Sequence, residues 1–353
     1  MRAHAATEKE GAPPPETTRP RPPPPVRVLL TNDDGPLSPF FIAWVEHVRS
    51  SLGWRVFVAP PAEGQSFVSK AVATGTNHSS SSSRGGSSKG SSSKSESESG
   101  SSKDGKGAGP KNGGGGSGAI SLTRVDEDTV HVCGPPATAV NLALHHLSPD
   151  CDFVVSGPNV GHNVGRGSVL SSGTVGAALE GAVAGKKSIA LSFPFRNGFG
   201  NWSDAELRLA VEASGRVVRD LWEGWGEGVD LYNVNVPLDF NRGAGKGEGE
   251  GGGEGGETSS SSAGFEFRVS ATTVDPGAQY SSLYRRVAAA SGEEGEEVSE
   301  EFEWGPSGLR VFDEANGVEA AAGGDVEAVR RGRISVTALR AALAHVEAKK
   351  SSS

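Results

Sequence analysis

Apolar residues recur along this chain in two alternating rhythms. Val26 to Thr31 (VRVLLT) is a short unbroken run of β-branched residues and Leu, the pattern of a strand buried on both faces. PFFIAWVEHVRSSLG (39–53) follows, with Phe40, Phe41, Trp44, Val45 and Val48 at helical spacing and Gly53 as a stop. WRVFVAP (54–60) predicts a second strand, and ISLTRV with TVHVCG predicts a hairpin turning around Asp126 to Asp128. PATAVNLALHHL (136–147) reads as a helix, CDFVVSG (151–157) as a buried strand, GTVGAALEGAVAG (173–185) as a helix closed by Gly185, and KSIALSF (187–193) as a strand. A helix over 203–222, strands over 230–236 and near Phe265 to Ala271, and a terminal strand and helix over 333–348 complete the series. VDPGAQYSSLYRR (274–286) reads as a loop or arm. Strands alternating with helices predict an α/β fold, a mostly parallel sheet flanked by helices, with one small β-hairpin.

Composition interrupts this pattern. Residues 78–118 are almost entirely Ser, Gly and Lys, residues 242–263 are Gly, Glu and Ser, and 291–303 (SGEEGEEVSEEFE) is acidic. Such segments bury too little apolar surface to offset their ordering entropy. They are expected as disordered insertions in one domain spanning 26–348, between a Pro-rich tail at 1–25 and a short tail at 349–353. Much of the net charge of -9 lies in these segments, so it describes no binding face. Lys89, Lys94, Lys103, Lys106 and Lys111 are interspersed with acids and lack aromatic neighbours, so nucleic acid is not expected as a partner. No stretch has the length and apolarity of a membrane span or a secretory signal, and Cys133 and Cys151 form no disulfide or metal pattern. A cytoplasmic protein is the expectation.

Four polar clusters fall where predicted strands stop or helices start: NDDG (32–35), EGQS (63–66), SGPNVGHNVG (156–165) and SSGT (171–174). In open α/β sheets, ligands bind outside the carboxyl ends of the strands, so the four can share one rim. Asp33 and Asp34 repel each other unless a cation lies beside them, and with Ser66 and Asn159 they form an oxygen-only set suited to Mg²⁺, Mn²⁺ or Ca²⁺ rather than zinc. Gly157, Gly161 and Gly165 stand four apart around Asn159 and Asn163, so backbone N–H groups can approach a ligand. Ser172, Gly173 and Thr174 open a helix, whose N-terminus favours phosphate. Singly, each cluster has a bland reading: a turn after a strand, a Gly-rich loop, a Ser/Thr cap. EGAVAGKKS (180–188) lacks the first glycine and the Ser/Thr of a P-loop, and the adjacent acids of NDDGP do not fit the aspartyl-phosphate hydrolases. Among the histidines, His145 and His146 belong to a helix, and His162 alone is retained as a candidate acid or base.

VRVLLTNDDGP, PAEGQS, FVVSGPNVGHNVG, SSGTVGAALEGA and DVEAVRRGRISVTAL (325–339) occur in the order found in the survival protein SurE family of metal-dependent nucleotidases and acid phosphatases, which the chain resembles. The resemblance implies a Rossmann-like domain with a C-terminal extension, one divalent metal (Mg²⁺ or Mn²⁺) per subunit held by Asp33, Asp34, Ser66 and Asn159, and Asp33 and Asp34 as the catalytic pair. It implies that Asn32, Asn163, Ser172, Gly173 and Thr174 line the phosphate or substrate site, and that the protein assembles as a homodimer or homotetramer. The implied activity is hydrolysis of nucleoside monophosphates (5′/3′-nucleotidase) and other small phosphate monoesters, with water or an aspartate as nucleophile. The alternatives are a catalytically impaired nucleotide- or phosphate-binding protein and, third, a scaffold. Departures from the family pattern are Phe67 where Gly usually follows the metal-ligand Ser, GPPATA (134–139) with Pro135 and Thr138 in place of Thr and Asp, and Ser171 where Tyr or His is often found.

Overall fold

The computed structural model describes residues 25–73, 119–195, 202–238, 268–277, 283–289, 300–304 and 320–343. The insertions expected at 78–118 and 242–263, and the tails apart from Pro25, lie outside these residues. The elements are β1 (Arg27–Thr31), α1 (Pro39–His47), β2 (Arg55–Val58), β3 (Leu122–Arg124), β4 (Val130–Val132), α2 (Pro136–Leu142), β5 (Phe153–Val160), α3 (Gly165–Ser171), α4 (Gly173–Val183), β6 (Lys187–Phe193), α5 (Asp204–Glu223), β7 (Leu231–Asn235), β8 (Val269–Thr272), β9 (Tyr284–Ala289), β10 (Glu300–Trp304), α6 (Asp325–Arg330) and β11 (Ile334–Leu339).

Seven strands form the central sheet in the order β2-β1-β5-β6-β7-β11-β8. The first five run parallel, β11 is antiparallel to β7, and β8 is parallel to β11. The strands read as unbroken apolar runs because both faces are covered. Val28 and Leu30 pack with Phe40 and Trp44 of α1 and with α5, whereas Leu29 between them packs with Val140 of α2 and Ala177 of α4. β5 divides likewise, Phe153 and Val155 to the first face and Val154 to the second. α5 starts with a capping box, Ser203 and Glu206 each satisfying the other's backbone N–H. The hairpin around Asp126 to Asp128 is β3 and β4, bridged to the end of β2 through Val58 and Thr129. No helix among the described residues is long and apolar enough to cross a membrane.

One expectation is corrected. Glu300–Trp304, the end of the segment expected as an acidic insertion over 291–303, is a strand, and it pairs antiparallel with β9. Its glutamates alternate with Phe302 and Trp304, Arg285 pairs with Glu303 across the ladder, and Arg286 lies 5.6 Å from the Phe302 ring. Opposite charges and aromatic rings facing across the strands stabilise what composition alone reads as a solvated run. VDPGAQYSSLYRR (274–286), read as a loop or arm, ends in the first strand of that two-stranded arm. A helix not read from the pattern, α6, precedes β11; of the helix expected after that strand within 333–348, residues 340–343 are not helical and the rest lies outside the described residues. α6 buries Val326 and Val329 against Val164, a core too small to give six residues a visible helical period.

Candidate active site

The sheet order creates a switch point. From β1 the chain moves to β2 on one side and later returns to β5 on the other, which opens a crevice between the carboxyl ends of β1 and β5. Four segments meet there. Asn32 Nδ2 donates to the Gly35 carbonyl at 2.7 Å and closes the turn after β1, where Gly35 has φ +88°. Asp34 Oδ2 accepts the Val160 N–H at 2.8 Å, which fixes the end of β5 and its neighbour Asn159 beside the acid pair. The Gln65 N–H donates to the Asp33 carbonyl at 2.6 Å, which brings in the loop carrying Ser66. Thr174 Oγ1 donates to Asp33 Oδ1 at 2.7 Å and brings in the start of α4. A Cβ on Gly173 would lie 3.0 Å from the Gln65 carbonyl oxygen and 3.2 Å from Asp33 Cβ, so a larger residue would press on the acid pair's surroundings.

Both carboxyls are shifted upward. Burial and then the neighbouring Asp34 charge push Asp33 up to about 7, against the lowering effect of Thr174, and burial raises Asp34 despite the Val160 N–H. The ion pairs among the described residues involve neither acid. Two adjacent carboxylates, Asp33 buried and Asp34 half-buried, with no basic partner among the described residues are the arrangement a bound cation relieves. Ser66 is exposed and Asn159 half-buried, on segments whose backbones are bonded to the acid pair. Among the described residues no three His, Cys, Asp or Glu side chains cluster, so a cation here would also depend on the neutral Ser66 and Asn159 oxygens. Asn32 Oδ1 is buried without a hydrogen-bond donor among the described residues, as befits an oxygen reserved for a ligand or its water.

The residues expected at the phosphate gather around the same crevice, but several side chains are already engaged within the fold. Ser172 Oγ accepts from the Val175 N–H at 3.0 Å as the cap of α4, and Thr174 is bound to Asp33. Asn163 Nδ2 donates to Ser192 Oγ at 2.8 Å, its N–H donates to Asn235 Oδ1 at 2.9 Å, and its carbonyl accepts from Asn233 at 2.7 Å and Asn235 at 3.2 Å. Sequence reasoning missed this asparagine lattice, although the YNVN alternation inside an otherwise apolar strand was a visible signal. It also missed Asp325, which accepts the N–H groups of Gly165 at 3.0 Å, Asp275 at 2.9 Å and Val326 at 2.9 Å and so anchors the glycine-rich loop to α6. The third omission is Lys70, whose Nζ lies 2.5 Å from Glu180 Oε2 while Asn141 donates to Glu180 Oε1 at 2.7 Å. Burial raises the Glu180 carboxyl, but Lys70 and Asn141 outweigh it and hold the group below its ordinary value. This clamp and the Ser69 hydroxyl, which donates to the Leu170 carbonyl at 2.8 Å, seat the loop after Ser66 on α3 and α4.

Comparison with known proteins gives a consistent picture. The family model described as Survival protein SurE matches residues 28–249. A probable tubulin–tyrosine ligase PBY1 of Saccharomyces cerevisiae is 32 % identical over 223 residues, 60 % of this chain and 29 % of that protein. The 5′-nucleotidase SurE of Methanothermobacter thermautotrophicus is 41 % identical over 112 residues, 30 % of this chain and 43 % of that one, and its namesake from Methanocella arvoryzae is 30 % identical over 218 residues, 60 % and 66 %. The chain thus spans less than two thirds of the length of these curated relatives. Among solved structures, the SurE protein from Aquifex aeolicus superposes with a TM-score of 0.53 at 22 % identity, covering 90 % of this chain and 94 % of that one, a likeness of fold.

Proposed function

Because the chain belongs to the SurE family, we propose that it is a divalent-metal-dependent phosphomonoesterase acting on nucleoside monophosphates and related small phosphate monoesters. The observation that carries this reading is the adjacent pair of upward-shifted carboxyls at the β1/β5 crevice, Asp33 buried and Asp34 half-buried, with no basic partner among the described residues and with the Ser66 and Asn159 segments bonded alongside. Asp33, Asp34, Ser66 and Asn159 would hold the cation, Mg²⁺ or Mn²⁺ by the hardness of the donor set. When bound, it supplies charge neutralisation for the acid pair and the phosphate dianion and polarises a phosphoryl oxygen.

The rest of the work belongs to the protein. Thr174 and Val160 fix one oxygen of each aspartate and leave the other for the site. Asn32 and Gly173 are the residues in this reading that meet the phosphate itself, while Asn163, Ser172 and Thr174 hold the wall behind it. With both carboxylates tied to their places, water is the nucleophile. Trapping a phosphoryl-Asp33 or phosphoryl-Asp34 species would reverse that assignment.

Phosphate release from AMP and glycerol phosphate is the test, with Mg²⁺, Mn²⁺ or EDTA, for the wild type beside Asp33→Asn and Asp34→Asn. The reading expects metal-dependent release that each substitution lowers at least about a hundredfold. A folded protein that binds AMP but releases no phosphate with either metal would instead be a nucleotide-binding protein that has lost turnover.

A further inference from the structure

Phe67 follows Ser66 directly and occupies a left-handed backbone conformation, φ +59°, which is strained for a bulky side chain. The ring is retained there against that strain, and it is not used to fill the core: Phe67 is 36 % exposed. It meets the β9–β10 arm, where its centroid lies 4.9 Å from that of Trp304 at 66°, and Trp304 lies 5.7 Å from Tyr284 at 83°. Both contacts are edge-to-face, so each engages the face of one ring and leaves the face of its partner free of that neighbour. Trp304 and Tyr284 keep 46 % and 57 % of their surface exposed, so the three rings together leave an apolar surface open to solvent. Exposed ring faces next to a phosphate site are suited to a flat, apolar, polarisable group attached to that phosphate.

We propose that Phe67, Trp304 and Tyr284 form a stacking face for the base of a nucleoside monophosphate whose phosphate occupies the Asp33–Asp34 crevice. The inference rests on the phosphomonoesterase reading and adds its selectivity: the arm, distant in sequence, supplies base recognition, and the strained Phe67 joins it to the metal-ligand loop. Stacking of this kind is tolerant of sequence, so purine monophosphates are favoured by ring area rather than by a base-specific hydrogen bond.

AMP and ribose 5-phosphate separate the base from the rest of the substrate, since they share the sugar and the ester. In steady-state assays with Mn²⁺, wild type has a KM for AMP about tenfold or more below that for ribose 5-phosphate, Trp304→Ala erases most of that ratio with little change in kcat, and Trp304→Phe restores it. Equal losses on both substrates, or a wild type that hydrolyses both without preference, overturn the stacking face. So does a loss accompanied by a change of oligomeric state in sedimentation, which assigns the rings to a contact with a second copy of the chain. If neither compound is hydrolysed, the phosphomonoesterase reading fails instead, and calorimetric titration of the same two ligands into wild type and Trp304→Ala decides the stacking face on binding alone.

Discussion

Ser66 and Phe67 are adjacent in sequence, yet they belong to two regions built on opposite terms. The crevice beside Ser66 is cross-bonded: Asp33 and Asp34 draw hydrogen bonds from β5 and α4, and Gln65 and Asn32 fix the backbone around them. The aromatic face at Phe67 is exposed, touches edge to face, and draws its other two rings from a two-stranded arm apart from the central sheet. Reacting atoms must be held to fractions of an ångström, whereas stacking surfaces tolerate exchange of one ring for another. Substitutions should therefore divide sharply by region, with the crevice losing turnover or stability and the face losing only discrimination.

The largest structural effect is expected behind the crevice. Asp325 is fully buried and satisfies three N–H groups, among them that of Gly165 in the glycine-rich loop. Asp325→Ala leaves all three without an acceptor and should cost about 2–4 kcal/mol in urea unfolding. Asp325→Asn, which keeps two acceptor lone pairs, should cost less. A loss below about 1 kcal/mol for Asp325→Ala would mean that the loop stands without this anchor.

Next in size is Thr174→Val, which keeps the shape but removes the hydroxyl that orients Asp33. Turnover should fall about 10- to 100-fold on AMP and ribose 5-phosphate alike, and Thr174→Ser should recover most of it. A loss confined to AMP would erase the division between the two regions.

Much of this was legible beforehand, and the limits have physical causes. Strands buried on both faces, such as Val28 to Leu30, declare themselves as apolar runs, and the strand-end rule placed Asp33, Asp34, Ser66 and Asn159 on one rim before any geometry was known. What stayed hidden depends on long-range pairing. Glu300–Trp304 looked like a solvated acidic segment because the arginines that balance it lie on another strand. The Thr174 hydroxyl donates to the Asp33 carboxylate, 141 residues away, a pairing that no local pattern announces. Asp325 left no local signature at all, since its three partners are backbone groups that any sequence provides.

The smallest effect concerns the charge stored in the crevice. Burial and mutual repulsion raise Asp33 from an unfolded value near 4 to about 7, and Asp34 moves in the same direction. Across that window the folded, metal-free protein binds more protons than the unfolded chain, so stability falls as pH rises, by up to about 1.4 kcal/mol per unit for one such group, and levels off above the folded value. Asp33→Asn keeps an oxygen to accept from Thr174 but carries no charge. In EDTA it should therefore gain on wild type as pH rises and be the more stable of the two at pH 8, with the advantage fading toward pH 4. Added Mn²⁺ should reverse the order at pH 8, because only the wild type gains from neutralising the pair. The aromatic face supplies the contrast, since Trp304→Ala removes no ionisable group and should leave the slope of stability against pH as it was. If Asp33→Asn is less stable than wild type at pH 8 without metal, the acid pair is not under charge strain, and the main ground for placing a cation there is lost.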